Sequence, residues 1–146
     1  MYEFTSSILI NRPQEDVFKA IIDPDTQSEW QSMLESMEWT SNGSTGVGST
    51  MKTVSKFLGR KIEAEIEVTT WDPPHRIDWK ITNGPYPVDV TNKVESQGAG
   101  TLLTSTSSAE FGGFFKLAEG LVGKQIKKQI DTNFESLKLL MESGQL

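Results

Sequence analysis

The chain has 146 residues, a net charge of −6 and no cysteine. A domain of that length buries about 68–70% of the surface its unfolded chain exposes, enough for a sizeable core. The acidic balance argues against nucleic acid, whose binding rests on neutralising phosphates with Lys and Arg, and the missing thiols exclude disulfides, thiolate metal sites and a cysteine nucleophile.

The N-terminus, Met1-Tyr2-Glu3-Phe4, lacks the basic-then-apolar run of a signal peptide. No apolar run approaches the ~20 residues of a membrane span. A single cytoplasmic domain over residues 1–146 is therefore expected.

Tyr2 to Ile10 reads as a strand, with Tyr2, Phe4, Ser6, Ile8 and Ile10 on one face. Asn11-Arg12-Pro13 breaks it. Proline suits a helix start, and Glu15 and Asp16 favour the positive end of the helix that follows. Val17, Phe18, Ile21 and Ile22 form its apolar face. Asp23-Pro24-Asp25 ends that helix and caps a second, expected over about Thr26 to Leu34, with Trp30 and Met33 at i, i+3. Ser36 to Ser41 is a weaker strand carrying Met37 and Trp39. Asn42 to Gly48 is a loop. It is not a phosphate loop, because it lacks the Lys-Ser/Thr ending and a strand follows it.

Ser49 to Leu58 and Arg60 to Trp71 are the strongest strands. In the second, Ile62, Ala64, Ile66 and Val68 oppose Lys61, Glu63, Glu65 and Glu67, a period of two with one dry and one wet face. The glutamates lie ~7 Å apart along the strand, too far for several to share an ion. Asp72-Pro73-Pro74-His75 is a tight turn. Arg76 to Thr82 follows with Ile77, Trp79 and Ile81 inward, then a break over Asn83 to Pro87. Val88 to Glu95 carries Val88, Val90, Asn92 and Val94 on one side. Ser96 to Gly100 turns the chain into Thr101 to Phe111. On this last strand Leu103, Ser105, Ser107, Ala109 and Phe111 share a face, small and mildly polar for a surface that only packs on a helix. Thr53 and Ser55 give another strand the same character.

From Phe114 to Met141, apolar residues at Phe115, Ala118, Val122, Ile126, Ile130, Phe134, Leu137 and Met141 trace one stripe of a helix roughly 40 Å long. Ser143 and Gly144 are its expected stop. A stripe of that length needs a broad, curved sheet to lie across. Gly120 and Gly123 interrupt the helix at roughly 1 kcal/mol each relative to alanine; they mark either a wall that opens or close packing on a strand. Lys124, Lys127 and Lys128 read as a solvated face. Strand, two short helices, hairpin-linked strands and one long terminal helix make an α+β pattern, with helices gathered on one face of an antiparallel sheet.

In this order the residues resemble a known family. Ile10-Asn11-Arg12-Pro13-Gln14-Glu15-Asp16-Val17-Phe18, Asp23-Pro24 with Trp30 seven residues after the aspartate, Gly46-Val47-Gly48, Asp72-Pro73-Pro74-His75-Arg76, Gly100-Thr101 and the terminal helix with Leu137-Lys138 carry the resemblance. The chain resembles the START-related superfamily, also called SRPBCC or helix-grip, near its polyketide cyclase/dehydrase and lipid-transport branch. The resemblance implies a curved antiparallel sheet gripping the C-terminal helix, with a cavity between them. It also implies a choice among carriers of hydrophobic molecules, polyketide aromatase/cyclases and a domain that stimulates a heat-shock ATPase. Fold alone does not choose.

Trp30, Met33, Phe57, Trp79, Tyr86, Phe111 and Phe115 are the candidate lining of that cavity, joined by Ala118 and Val122 of the helix. Asn92, Tyr86 and Ser105 are candidate hydrogen-bond partners that would orient a bound molecule. Each could equally be ordinary core. As a set they favour a hollow, because Thr53, Ser55, Ser105, Ser107 and Ala109 are too small to fill the space. His75, the only histidine, lies in a turn at the sheet's rim and is a poor general base or metal ligand. Arg60 and Arg76 point outward by parity. No inward carboxylate pair and no Gly-x-Ser-x-Gly elbow are present. The expected activity is binding or transport of a small lipid-like or aromatic ligand, with no catalytic residue, no metal and no cofactor; a homodimer is left open. A cyclase, and then an interaction module, are the alternatives.

Overall fold

The computed structural model describes residues 2–57, 59–111 and 118–146. Strand β1 (Tyr2–Ile10) is followed by helices α1 (Gln14–Ile22) and α2 (Gln27–Trp30). Strands β2 (Leu34–Trp39), β3 (Thr50–Phe57), β4 (Arg60–Asp72), β5 (Arg76–Asn83), β6 (Val88–Gln97) and β7 (Gly100–Ala109) come next, and helix α3 (Glu119–Glu142) closes the chain. All seven strands form one curved antiparallel sheet in the order β1-β7-β6-β5-β4-β3-β2. β2 to β7 is a meander of sequential neighbours, and β1 pairs with β7 from Tyr2↔Ala109 to Ile10↔Thr101. The two short helices therefore carry the chain from one edge of the sheet to the other.

Period-two patterning sets which face is dry. Leu103, Ser105, Ser107 and Ala109 are buried on β7, as are Phe4, Ser6 and Ile10 on β1. On β4 the alternation is reset by an irregularity between Val68 and Thr70. Val68 pairs with Trp79 and Trp71 pairs with Ile77, so Trp71, on the glutamate parity by simple counting, turns inward. Its ring meets Phe18 edge-on at 5.5 Å.

Two elements differ from the sequence expectation. The second helix is a single turn ending at Trp30 rather than running to Leu34. The carbonyl of Met33 accepts the Lys56 N–H at 2.9 Å and Leu34 pairs with Ser55, so β3 draws these residues into the sheet. The last strand ends at Ala109, two residues before Phe111. The expected helix start at Phe114 and the residue Phe115 lie outside the described residues. Ala118 is the cap preceding α3, not part of the helix.

The core is solid at one end. Ile10, Val17, Phe18, Ile21, Val68, Ile77, Val94, Leu103, Leu137 and Met141 pack α1 and the C-terminal half of α3 against the sheet. A smaller cluster of Ala109, Phe111 and Val122 closes the other end, joined by Tyr2, Phe57, Tyr86, Ala118 and Ile126. Helix α3 is about 36 Å long at 1.5 Å per residue. It stops as expected: Gly144 has φ 81°, and Gly144 and Gln145 donate back to the Met141 and Leu140 carbonyls at 3.2 and 2.9 Å, the Schellman arrangement.

The C-terminal end of α3 is tied down by polar contacts. Arg12 donates to the Met141 and Leu146 carbonyls at 2.6 and 2.8 Å and to Asp16 at 2.9 Å. The Asn11 N–H donates to Glu142 at 3.0 Å, and the Lys138 ammonium reaches the Leu9 carbonyl. Among the described residues, Glu119 to Lys128 make no such bond to the sheet.

Candidate functional site

Between the two packed ends, the sheet and α3 flank a hollow in two adjoining chambers, each partly open to solvent. The first holds about 160 Å³ and the second about 260 Å³, each many times the ~10–15 Å³ a single water needs on this measure. Val90, Ser107 and Ile130 border both. Small side chains leave the space open: Ser105 and Ser107 on the floor of the first, and Thr53, Ser55, Ala64 and Ala109 in the second.

Most of the candidate residues come together here. Trp30, Trp79, Asn92 and Ser105 line the first chamber; Met33, Phe57 and Tyr86 line the second. Phe111, Ala118 and Val122 do not line either. They belong to the cluster that plugs the end of the hollow, where Phe111 packs edge-on against Tyr86 at 4.7 Å. Phe111 keeps the buried parity of β7, but it lies past the strand's end and packs in the end cluster instead of along the chambers. Burial pushes the Tyr86 phenol above its ordinary pKa.

Sequence reasoning missed the polar part of the first chamber, formed by Gln27, Gln31 and Asn133. Gln27 is 1% exposed. Its amide donates to the Ala20 and Asp23 carbonyls at 2.7 and 3.0 Å, joining α1 to α2, and its oxygen accepts from Gln31 at 2.6 Å. A neutral amide in a short polar helix carries no sequence signal. Asn133 does carry one, since it lies three residues after Ile130 and four before Leu137, on the helix's own stripe. Its oxygen accepts from the Ser32 N–H and from Gln129. Asn92 donates to the Ile77 carbonyl at 3.2 Å. No charged side chain lines either chamber among the described residues.

His75 and Arg76 sit elsewhere, in an open cleft at the sheet's rim with Gln14, Lys93 and Glu95. Gln14 bridges the Val94 carbonyl and His75 Nδ1 at 2.7 and 3.0 Å, and Arg76 is paired with Asp78 at 2.7 Å. Glu63 and Glu65 are exposed and Glu67 is partly so, and no acidic or histidine cluster able to hold a metal occurs among the described residues. Lys124 and Lys128 are exposed, and Lys127 bonds Asp131 at 2.8 Å. No described helix is long and apolar enough to cross a membrane.

A curved sheet gripping one long helix over an internal hollow defines the helix-grip class, and the comparisons agree. The family described as polyketide cyclase/dehydrase and lipid transport matches residues 1–142. A protein from Thermus thermophilus is similar in structure with a TM-score of 0.85 at 20% identity, over 98% of this chain and 99% of that one. A START superfamily protein from Mycobacterium smegmatis gives 0.77 at 11% identity, over 95% and 98%. A di-domain ARO/CYC protein of a biosynthetic pathway gives 0.74 at 13% identity, over 97% of this chain and 48% of that one. No curated protein matches the sequence. The chain belongs to the polyketide cyclase/dehydrase and lipid transport family.

Proposed function

We propose that this protein binds a small hydrophobic molecule in the hollow beneath α3 and acts as its carrier. The observation that supports this reading is the pair of adjoining chambers, walled by apolar side chains with a few neutral polar groups, as small-molecule sites usually are. Together they reach the lower part of the roughly 300–1,000 Å³ range of such sites. A cyclase or dehydratase fits the family description equally well. In this chain, however, the described residues of the chamber walls include no charged group to take or give a proton, and their polar groups are amides, hydroxyls and the Tyr86 phenol. An interaction module would be expected to have a filled interior, which these chambers are not.

Trp30 and Trp79 line the first chamber, so tryptophan fluorescence reports occupancy. Titration with long-chain lipids, sterols and aromatic polyketides is expected to give saturable quenching or a blue shift below millimolar concentration with at least one class. No response from any class overturns the reading.

A further inference from the structure

The floor of the first chamber carries polar atoms that the fold leaves unmet. Asn92, Ser105 and Ser107 are 5%, 7% and 4% exposed, and all of them line the chamber. The sheet register brings them together. Asn92 pairs with Ser105 across β6 and β7, and Ser107 follows two residues on, on the same face of β7. The Asn92 amide is oriented by the Ile77 carbonyl, which accepts from its Nδ2 at 3.2 Å. A carbonyl can only accept, so Oδ1 is turned away from it. Neither this oxygen nor either serine hydroxyl has a hydrogen-bond partner among the described residues. Ser6 Oγ and Trp30 Nε1 are also unpartnered, but those atoms are sealed from water. The floor atoms are not sealed, and the chamber that their residues line is the space they face.

A serine hydroxyl donates or accepts, whereas Asn92 Oδ1, with its amide fixed, only accepts. Water entering the chamber can donate to it. A guest that displaces this water must bring a donor of its own or forfeit the bond. A cationic donor is selected against, because the described residues of the chamber include no carboxylate and a charge taken out of water without a counter-charge is costly. Resting on the reading of the hollow as a hydrophobe site, we infer that its guest is a neutral alcohol or phenol. The hydroxyl donates to Asn92 Oδ1 and accepts from Ser105 Oγ, and the apolar body extends past Val90, Ser107 and Ile130 toward Met33, Phe57 and Ile62 of the second chamber. Asn92 is thus a specificity determinant. It separates a hydroxyl from an ether or hydrocarbon of the same shape, as a site built to hydrogen-bond a hydroxyl rejects the analogue that lacks one.

The test compares 4-propylphenol, its isomer 4-ethylanisole and the hydrocarbon 4-propyltoluene, which are alike in size and shape, on the intact protein at neutral pH, where a phenol is un-ionised. Calorimetry gives the affinities, and the Asn92 side-chain amide, assigned through the backbone, is followed in a ¹⁵N-correlated spectrum. The phenol is expected to bind roughly three- to tenfold more tightly than either of the others, the worth of one net hydrogen bond. The Asn92 amide should shift further with the phenol than with the anisole, whose ring brings the same aromatic current. Asn92→Leu is expected to bind the phenol and the anisole about equally. A phenol bound no more tightly than the anisole, a preference that survives in Asn92→Leu, or an Asn92 amide that shifts alike with both overturns the inference and leaves the hydrophobe site standing. No binding of any probe overturns both. The wild-type affinities and amide shifts decide the matter whether or not Asn92→Leu folds.

Discussion

Gly123 of α3 lies against the ring of Tyr2 in β1, so close that a β-carbon at that position would overlap the ring. The Tyr2 ring fills the space that a side chain at 123 would need, which is the close packing on a strand foreseen as one of two readings for this glycine. Gly120, one turn earlier, has nothing within 4 Å of its would-be β-carbon. The two glycines therefore predict opposite outcomes. Gly120→Ala should raise stability by about 0.4–1 kcal/mol through the unfolded chain. Gly123→Ala should lower it by about 1–2 kcal/mol, because overpacking outweighs the gain in helix propensity. Urea unfolding measures both, and Tyr2→Ala should relieve the second.

Arg12 fastens the end of α3 through the Met141 and Leu146 carbonyls. Replacing it with methionine keeps the stem and removes the fork, at an expected cost of about 2 kcal/mol for charged hydrogen bonds in a partly buried site. Lysine should recover little, since a single ammonium cannot reach two carbonyls and Asp16 in the same geometry. Thermal unfolding of the two variants checks this.

The same fastening predicts a gradient along the helix. Amide hydrogen exchange should be slow at Phe134 to Leu137, over the solid core, and faster at Glu119 to Lys124, where the described residues give no polar tie to the sheet. Equal protection of the two segments would show that the first turns do not open ahead of the rest.

Tyr86 supplies a pH dependence. Burial holds its folded pKa above the ordinary 10.0, so on raising the pH the unfolded chain ionises first. The stability tied to the neutral phenol is complete below the unfolded pKa and is lost as the pH climbs through 10. Tyr86→Phe should be less sensitive than the parent between about pH 9 and 11, measured by denaturant midpoints at each pH.

Much of this architecture was legible because alternation and helical stripes report directly on burial. Tyr2–Ile10 and the polar, small face of β7 came out as read. What was lost came from contacts distant in sequence. The reset between Val68 and Thr70 that turns Trp71 inward leaves no local mark, and the pairing of Met33 with Lys56 that cuts α2 to one turn depends on β3. At the site, large aromatics were visible but their division was not. Trp30 and Trp79 stand at the hollow, whereas Phe111 closes its end. Gln27 was invisible because a glutamine's worth here lies in which carbonyls surround it.

Ser107 lies on the wall shared by both chambers and gives the most direct test of a hollow that takes a guest. Ser107→Phe places a ring in that space, and ligand affinity is to be measured beside unfolding stability. The account predicts a folded variant of near-parental stability, with binding of the best hydrophobic probe weakened at least roughly tenfold, about 1.4 kcal/mol. Loss of about 1–3 kcal/mol of stability, as overpacking of a filled core costs, or unchanged probe affinity in a folded variant, would contradict it.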